Sequence, residues 1–348
     1  MDDDVRRVLL VFGGRCAEHP ISIQSARNVA DALARAGYDV PLLGIDRDGR
    51  MHLGRPGQDP ARVVEHGPIT DAFAAFDADV VFPLVHGPMG EDGTLQGLCE
   101  VLGVPYVGSG VLASAVCMDK VAFKALVTAA CPDVPVAPWV AVDGRGLAQG
   151  ARQVEASLKF PVFVKPANMG SSIGISRVEG SAWLRAALEA AARYDDRILV
   201  EQAVDRPREI ELALLGDAGG DLLVSQPGEI VLPPDTWYDY ETKYEADVAT
   251  YTIPADLPPA TAARLDAAAR AVYRAADCAG MARVDFLLDR TTGVPVLNEV
   301  NTIPGFTAIS MYPKLMAHAG LDGPALVRRL CQLAIERHRR RRARPTAP

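Results

Sequence analysis

Ala282-Arg283-Val284-Asp285-Phe286-Leu287-Leu288-Asp289 and Val296-Leu297-Asn298-Glu299-Val300-Asn301 are two strand-like runs separated by the turn composition Arg290-Thr291-Thr292-Gly293. A short glycine-containing loop between two β-rich runs predicts a hairpin. Successive strand side chains point to opposite faces, so Arg283 shares a face with Asp285, and Glu299 with Asn301. If the hairpin pairs those faces, one guanidinium, two carboxylates and a carboxamide converge. Oxygen donors of this kind suit Mg²⁺, which keeps water and shares its sphere with substrate phosphates; that points to ATP chemistry. Alternating charge equally describes the solvated face of a strand. Leu287 and Leu297 have the parity of the charged residues, so the polar face is expected to turn apolar at one end, as a pocket wall does.

Toward the N-terminus, Val8 to Phe12 is a continuous apolar run that reads as a buried strand, broken by Gly13-Gly14. Ile21, Ala26, Val29 and Leu33 follow at helical spacing. Val40 to Ile45, Asp79 to Leu84 and Val104 to Val107 read as further strands, with a helix over Thr94 to Leu102. Strands alternating with helices predict a doubly wound parallel sheet, whose ligands sit beyond the carboxyl ends of its strands. The loops after Gly13 and after His86 lie at such ends. In the middle, Phe160 to Pro166 is a strand leading into the small-residue loop Ala167 to Gly174, and 198–203 and 209–215 are strands. Ser225 to Pro259 is rich in Pro, Tyr and Asp, the composition of a functional lid. A helix from Pro259 to Ala279 precedes the hairpin, and one from Leu326 to Arg337 follows it.

The chain has 348 residues, 49% hydrophobic and 23% charged, with formal net charge −8. That length allows two or three domains, and the acidic balance gives nucleic-acid binding no general support. The basic run from Arg337 to Arg344 is expected to be a disordered, solubilising tail. Six scattered cysteines without a CxxC pair argue against zinc or a disulfide framework and fit a reducing cytosol. The opening Met1-Asp2-Asp3-Asp4 is unlike a signal peptide, and no apolar run approaches a membrane span. A cytoplasmic protein with no membrane partner is expected.

Several residues carry two readings. The loop Gly170-Ser171-Ser172 offers N–H groups and hydroxyls to a phosphate, or merely connects. Lys165 before it is a phosphate partner or a surface lysine. Glu201 and Glu209 meet adenine and ribose, or water. Glu18 holds a substrate ammonium, or caps a helix in the favourable field of its dipole. His86 is catalytic or structural. No Ser/His/Asp or activated-cysteine pattern stands out.

Together, in order, these pieces resemble the D-alanine–D-alanine ligases of the ATP-grasp superfamily. The segments that carry the resemblance are Val11-Phe12-Gly13-Gly14 with Ala17-Glu18-His19; His86-Gly87 with Gly90 to Gly97; Gly108-Ser109-Gly110 with Met118-Asp119-Lys120; Val164-Lys165-Pro166 through Ser172; Tyr238-Asp239-Tyr240 with Lys243-Tyr244; Gly280 through Asp285; and Asn298 to Asn301 with Pro304 to Thr307. The resemblance implies a three-domain α/β and α+β fold: an N-terminal Rossmann-like domain at 1–118, and two ATP-grasp domains at 119–202 and 203–337 that clasp ATP. It also implies a lid at about 228–249, with the basic tail at 338–348.

The activity implied is ATP-dependent joining of two D-alanines through a D-alanyl phosphate, for peptidoglycan. Asp285, Glu299 and Asn301 are then expected to hold two Mg²⁺ ions, with Mn²⁺ as a substitute. Lys120, Lys165, Ser171, Ser172 and Lys243 are expected on the phosphates, and Glu201, Ala203 and Glu209 on the nucleoside. Glu18 would bind the first D-alanine's ammonium, with His86 near its carboxylate. Arg283 and the Gly305 N–H would meet the tetrahedral oxyanion, and Ser310 the second carboxylate. Ser171 and Tyr244 would bond to each other and to Glu18. A homodimer is expected. Pro20, following His19, departs from the family pattern. The rivals are a D-alanine–D-lactate or D-alanine–D-serine ligase of the same fold, a silent ATP-binding relative, and another ATP-grasp enzyme such as a biotin-dependent carboxylase.

Overall fold

The computed structural model describes residues 5–71, 76–231 and 250–344. The first sheet contains β1 (Val8–Gly13), β2 (Leu42–Ile45), β3 (Met51–Gly54), β4 (Ile69–Thr70) and β5 (Val80–Pro83), in the order β4-β3-β2-β1-β5. Strand β1 is buried at every position, as a central strand covered on both faces must be. It runs parallel to β2 and β5, but β3 and β4 extend the edge antiparallel. The expected doubly wound sheet is therefore parallel only across β2-β1-β5. Helices α1 (His19–Arg35), α2 (Pro60–His66) and α3 (Thr94–Leu102) accompany it. Pro20 sits in the first turn of α1, where a missing N–H costs nothing because that group has no intrahelical acceptor. Gly13 closes β1 at φ +92, and a Cβ there would lie 2.1 Å from the Ile45 carbonyl oxygen. Its N–H donates to Ser22 Oγ, which in turn donates to the Leu84 carbonyl; helix α1 thus fixes the loops at the two strand ends.

Helices α4 (Val111–Met118) and α5 (Lys120–Ala130) lead to a second sheet of β6 (Trp139–Asp143), β7 (Val162–Pro166), β8 (Ser176–Val178) and β9 (Arg197–Gln202). It is antiparallel, ordered β6-β9-β7-β8. With α6 (Leu147–Ser157) and α7 (Ser181–Ala191) it encloses its own core, including Val142, Val164, Leu188 and Val200. Asp119 caps α5 by accepting the Ala122 N–H at 2.9 Å, so Lys120 opens that helix.

The third sheet holds β10 (Arg208–Asp217), β11 (Leu222–Val224), β12 (Gly228–Val231), β13 (Thr250–Thr252), β14 (Ala279–Leu288) and β15 (Pro295–Asn301). The main path is β13-β12-β10-β14-β15, with β11 on β10. Helix α8 (Pro259–Ala275) packs on it. Helices α9 (Met311–His318) and α10 (Gly323–Arg342) then return to the first sheet. Leu326, Leu330 and Leu333 of α10 share one core with Val8, Leu10 and Phe12 of β1, and with Ala213 and Met281 of the third sheet.

Three sequence expectations change. Val104 to Val107 makes only a single parallel bridge, Val81 to Tyr106, because Pro105 has no N–H with which to continue a ladder. The supposed tail is helical to Arg342. Its arginines are anchored: Arg337 donates to the Gly108 and Tyr106 carbonyls and lies over the Tyr106 ring, while Arg340 and Arg341 pair with Asp217 and Glu100. Of the expected lid, the first four positions are strand β12, and the remainder lies outside the described residues. No described helix is long and apolar enough to cross a membrane.

Candidate active site

A cavity of about 990 Å³ opens between the second sheet, the β14–β15 hairpin and the loops at the ends of β1 and β5. The hairpin is antiparallel, with Arg283 opposite Asn301 and Asp285 opposite Glu299. Arg283, Glu299 and Asn301 line the cavity, and Asp285 lies behind Arg283 and Asn301, which both donate to it. Beyond Asp285 the register shifts by a bulge, so Phe286 faces Leu297, and Leu287 faces Val296. The bulge reverses the parity read from the sequence. Leu297 is fully buried and packs in the same core cluster as Phe286, yet it also borders the cavity, so Leu287 and Leu297, with Val296, form the expected apolar end of its wall.

Arg283 donates to both Asp285 oxygens, each at 2.7 Å. Its Nε also lies 3.0 Å from Glu211 Oε2. Glu211 stands directly across the ladder from Asp285, a placement of like charges that is unfavourable without a cation between them. Asn301 Nδ2 donates to Asp285 Oδ2 at 2.9 Å. The donor set suits a hard cation: the Glu299 carboxylate and the Asn301 carboxamide face the cavity with the Asp285 carboxylate beside them, and there is room for phosphate oxygens and water. Among the described residues, no group of three or more His, Cys, Asp or Glu side chains forms a metal cluster by itself, so the carboxamide and substrate oxygens have to complete any such sphere.

On the opposite wall, Glu201 is held between two lysines. Lys165 pairs with its Oε1, and Lys124 lies 3.0 Å from Oε2. Burial opposes ionisation of Glu201, but Lys124 and Lys165 together outweigh it and hold the pKa at about 2. Lys120 donates to the Met169 carbonyl at 2.5 Å. Burial lowers its pKa against the pull of Glu299.

At the end nearest the first sheet, Glu18 is buried at the N-terminus of α1 and makes no side-chain cap. Its Oε1 accepts instead from Ser171 Oγ at 2.5 Å. Gly87 and Gly170 approach it so closely that a Cβ would stand 2.5 Å and 2.6 Å from Oε2. Ser171 and Ser172 have φ of 49 and 60, a left-handed conformation that costs a residue with a Cβ about 1–3 kcal/mol. His86 is buried, its ring nitrogens 3.2 Å from Ser25 Oγ and 3.2 Å from the Ile303 carbonyl. Burial drives its pKa down to about 4, so it is neutral at pH 7. Glu91 accepts the Gly87 N–H at 2.7 Å. Burial, and then the neighbouring Glu18, raise its pKa to about 8.

Of the residues singled out from sequence, Glu18, His86, Lys120, Lys165, Ser171, Ser172, Glu201, Glu209, Arg283, Glu299, Asn301 and Gly305 all line this cavity, and Asp285 sits just behind it, paired with Arg283 and Asn301. Ala203 differs: its N–H donates to the Pro161 carbonyl at 2.9 Å, and the flanking Gln202 and Val204 line the cavity instead. Ser310 precedes α9, and its Oγ accepts the Thr307 N–H at 3.0 Å. A Cβ on Gly305 would lie 2.7 Å from that oxygen, so Ser310 sits immediately behind Gly305. Lys243 and Tyr244 lie outside the described residues.

Lys124, Glu211 and Glu91 were not singled out. Lys124 follows Lys120 by one helical turn, and Glu211 shares a strand face with Glu209; those spacings were the available signals.

A family model described as the D-ala D-ala ligase N-terminus matches residues 7–109, and one for the C-terminus matches 128–332. A D-alanine–D-alanine ligase from Deinococcus radiodurans is 45% identical, over 95% of this chain and 99% of that one. Among solved structures, the D-alanine-D-alanine ligase from Coxiella burnetii superposes with TM-score 0.83 at 36% identity, covering 97% of this chain and 96% of that one. A D-Ala:D-Ser ligase from Enterococcus faecalis gives TM-score 0.82 at 32% identity, covering 95% and 100%. Bound by both halves of the family model and by whole-chain likeness, this chain belongs to the D-alanine–D-alanine ligase family.

Proposed function

We propose that the chain joins two D-alanines at the expense of ATP, making D-alanyl-D-alanine for peptidoglycan precursors. One observation carries this reading: an ammonium-binding carboxylate (Glu18), a phosphate-and-metal face (Glu299 and Asn301, with Asp285 paired beside them) and a charged nucleoside contact (Glu201) meet at one cavity. A carboxylate oxygen of the first D-alanine attacks the γ-phosphorus of ATP, ADP leaves, and an acyl phosphate remains. The amine of the second D-alanine attacks the acyl carbon; the C–O bond to phosphate breaks and the nitrogen loses a proton.

The chain's own part is positioning and charge. Glu18, oriented by Ser171, takes the first ammonium. Burial and the neighbouring Glu18 push Glu91 toward its protonated form, which favours Glu18 as the carrier of negative charge at that end. His86, being neutral, borders the first carboxylate without forming an ion pair; its one N–H goes to the Ile303 carbonyl, which holds the ring in place. Arg283 and the Gly305 N–H stabilise the oxyanion; such donors are each worth about 10²–10³ in turnover. Lys120, Lys165 and Lys243 take phosphates, Glu209 the ribose, and Ser310 the second carboxylate. Asp285, Glu299 and Asn301 would hold the Mg²⁺ ions, two in number, which when bound offset phosphate charge during transfer. Residues 232–249, with Tyr244, would cover the acyl phosphate against water. The same reading divides the chain near residues 118 and 202, pairs it as a homodimer, and places it in the cytoplasm.

The test is incubation with ATP, Mg²⁺ and D-alanine, reading phosphate and dipeptide together. Stoichiometric release of both is expected; no dipeptide under any condition would refute the reading. The likeness to a D-Ala:D-Ser ligase makes D-serine the competitor to include beside D-lactate. Preferential formation of the mixed product would replace D-alanine at the second position.

A further inference from the structure

Lys124 is the most deeply buried charge in the cavity wall. Its side chain is 2% exposed, against 13% for Lys165. An unpaired ammonium at such a depth is prohibitive, and Lys124 has two partners from different sheets. Nζ lies 3.0 Å from Glu201 Oε2 on β9 and donates at 3.1 Å to the Leu297 carbonyl on β15. Leu297 is the last residue before the hairpin bulge. One ammonium therefore sets the spacing between the second and third sheets where they face each other. Glu201 is unevenly held: Oε2 is bound from behind by Lys124, and Oε1 from the cavity side by Lys165, the more accessible cation.

We propose that Lys124 is a positioning residue for nucleobase selection, fixing Glu201 as an acceptor-only carboxylate so that the site takes a 6-aminopurine and rejects a 6-oxopurine. The inference rests on the reading that ATP binds here with its base at Glu201. When Lys165 turns to the phosphates, Oε1 becomes free while Oε2 stays occupied. An ionised carboxylate can only accept, so it pairs with an exocyclic amino group and opposes a carbonyl oxygen. Without Lys124, burial favours a protonated Glu201, which can donate to a 6-oxo group. The discrimination then disappears, because it depended on a repulsive element as well as an attractive one.

The experiment measures binding of ATP, purine riboside triphosphate (which has hydrogen at C6 and keeps the N1 acceptor) and inosine triphosphate, each with Mg²⁺, to the full chain by calorimetry; the first two differ only at C6, and the third also carries a proton at N1. The wild type is expected to prefer ATP by about tenfold or more, the worth of a hydrogen bond to a charged group. In Lys124→Met the ATP preference is expected to collapse. KM for ATP should rise by a similar factor, while kcat at saturating ATP holds within a few fold. Lys124→Met/Glu201→Gln, which removes the orphaned carboxylate and so protects the fold, should also show no preference. A folded Lys124→Met protein with the wild-type preference overturns the proposal while leaving the ATP reading standing. A wild type that binds none of the three nucleotides overturns both. Independently of any variant's folding, ¹⁵N-lysine spectra of the wild type should show one protected ammonium unchanged on adding ATP and a second one shifting. Movement of both, or of neither, also overturns the proposal.

Discussion

Between pH 6.5 and 4, protonation of His86 works against folding. Its pKa falls from 6.5 to about 4 in the folded chain because burial disfavours the imidazolium. Across that window the unfolded chain binds a proton that the folded one refuses, so stability drops as pH falls and is unaffected above the window. The shift corresponds to about 3 kcal/mol by pH 4. Urea unfolding at pH 7 and pH 4.5 should show the loss, and His86→Gln should flatten it by about one proton. At the metal face, Asp285→Asn and Glu299→Gln are expected to lower ligation on the order of 10²-fold or more, since a bound metal supplies several kcal/mol to the transition state. Near-native circular dichroism should persist, because Arg283 retains Glu211; full activity in either variant would remove the metal assignment. Asp285, Glu299 and Asn301 could be picked out in the sequence because they alternate on strands flanking a turn. Lys124 and Glu211 could not, since a buried ion pair has the same spacing as an exposed one and only the fold distinguishes them. Glu18 was readable in two ways, and its geometry selects one: the carboxylate turns from the helix end to Ser171.

At the level of elements, the hairpin was legible from composition, but its bulge was not. Asn298 carries no glycine signal, yet inserting it brings Val296 to the cavity beside Leu297. The strand expected at 104–107 failed for a reason already present in its sequence, the missing N–H of Pro105. The edge strands β3 and β4 are short, at 4 and 2 residues, too short for period-2 patterning to register. Gly13, by contrast, announced a break and is required there. Gly13→Ala has to relieve both a left-handed φ and a 2.1 Å approach to backbone. A loss of about 1–3 kcal/mol is expected in urea unfolding, with KM for D-alanine rising as well, because the same turn delivers Glu18.

For the molecule as a whole, the cavity draws its walls from the second and third sheets and from α1 and the loops at the end of the first, so ligand binding should report on global stability. ATP with Mg²⁺ at 100 times Kd should add about 2.7 kcal/mol and raise Tm by a few degrees. Asp285→Asn should lose most of that shift in a thermal melt. The cores are unequally shared. The second sheet encloses its own, while the first sheet shares one with α10 and the third sheet. A chain ending before Gly323 would uncover the apolar groups that Leu326, Leu330 and Leu333 now cover; it is expected to lack a cooperative melt and to bind the dye ANS. The ribosome meets the same constraint in time. Strand β1 (Val8–Gly13) leaves the tunnel long before the helix that covers it (Gly323–Arg342) is made. One face of the opening third must wait for that helix, while its other face, closed by Leu95, Cys99 and Tyr106, and the self-contained second sheet can settle on the way.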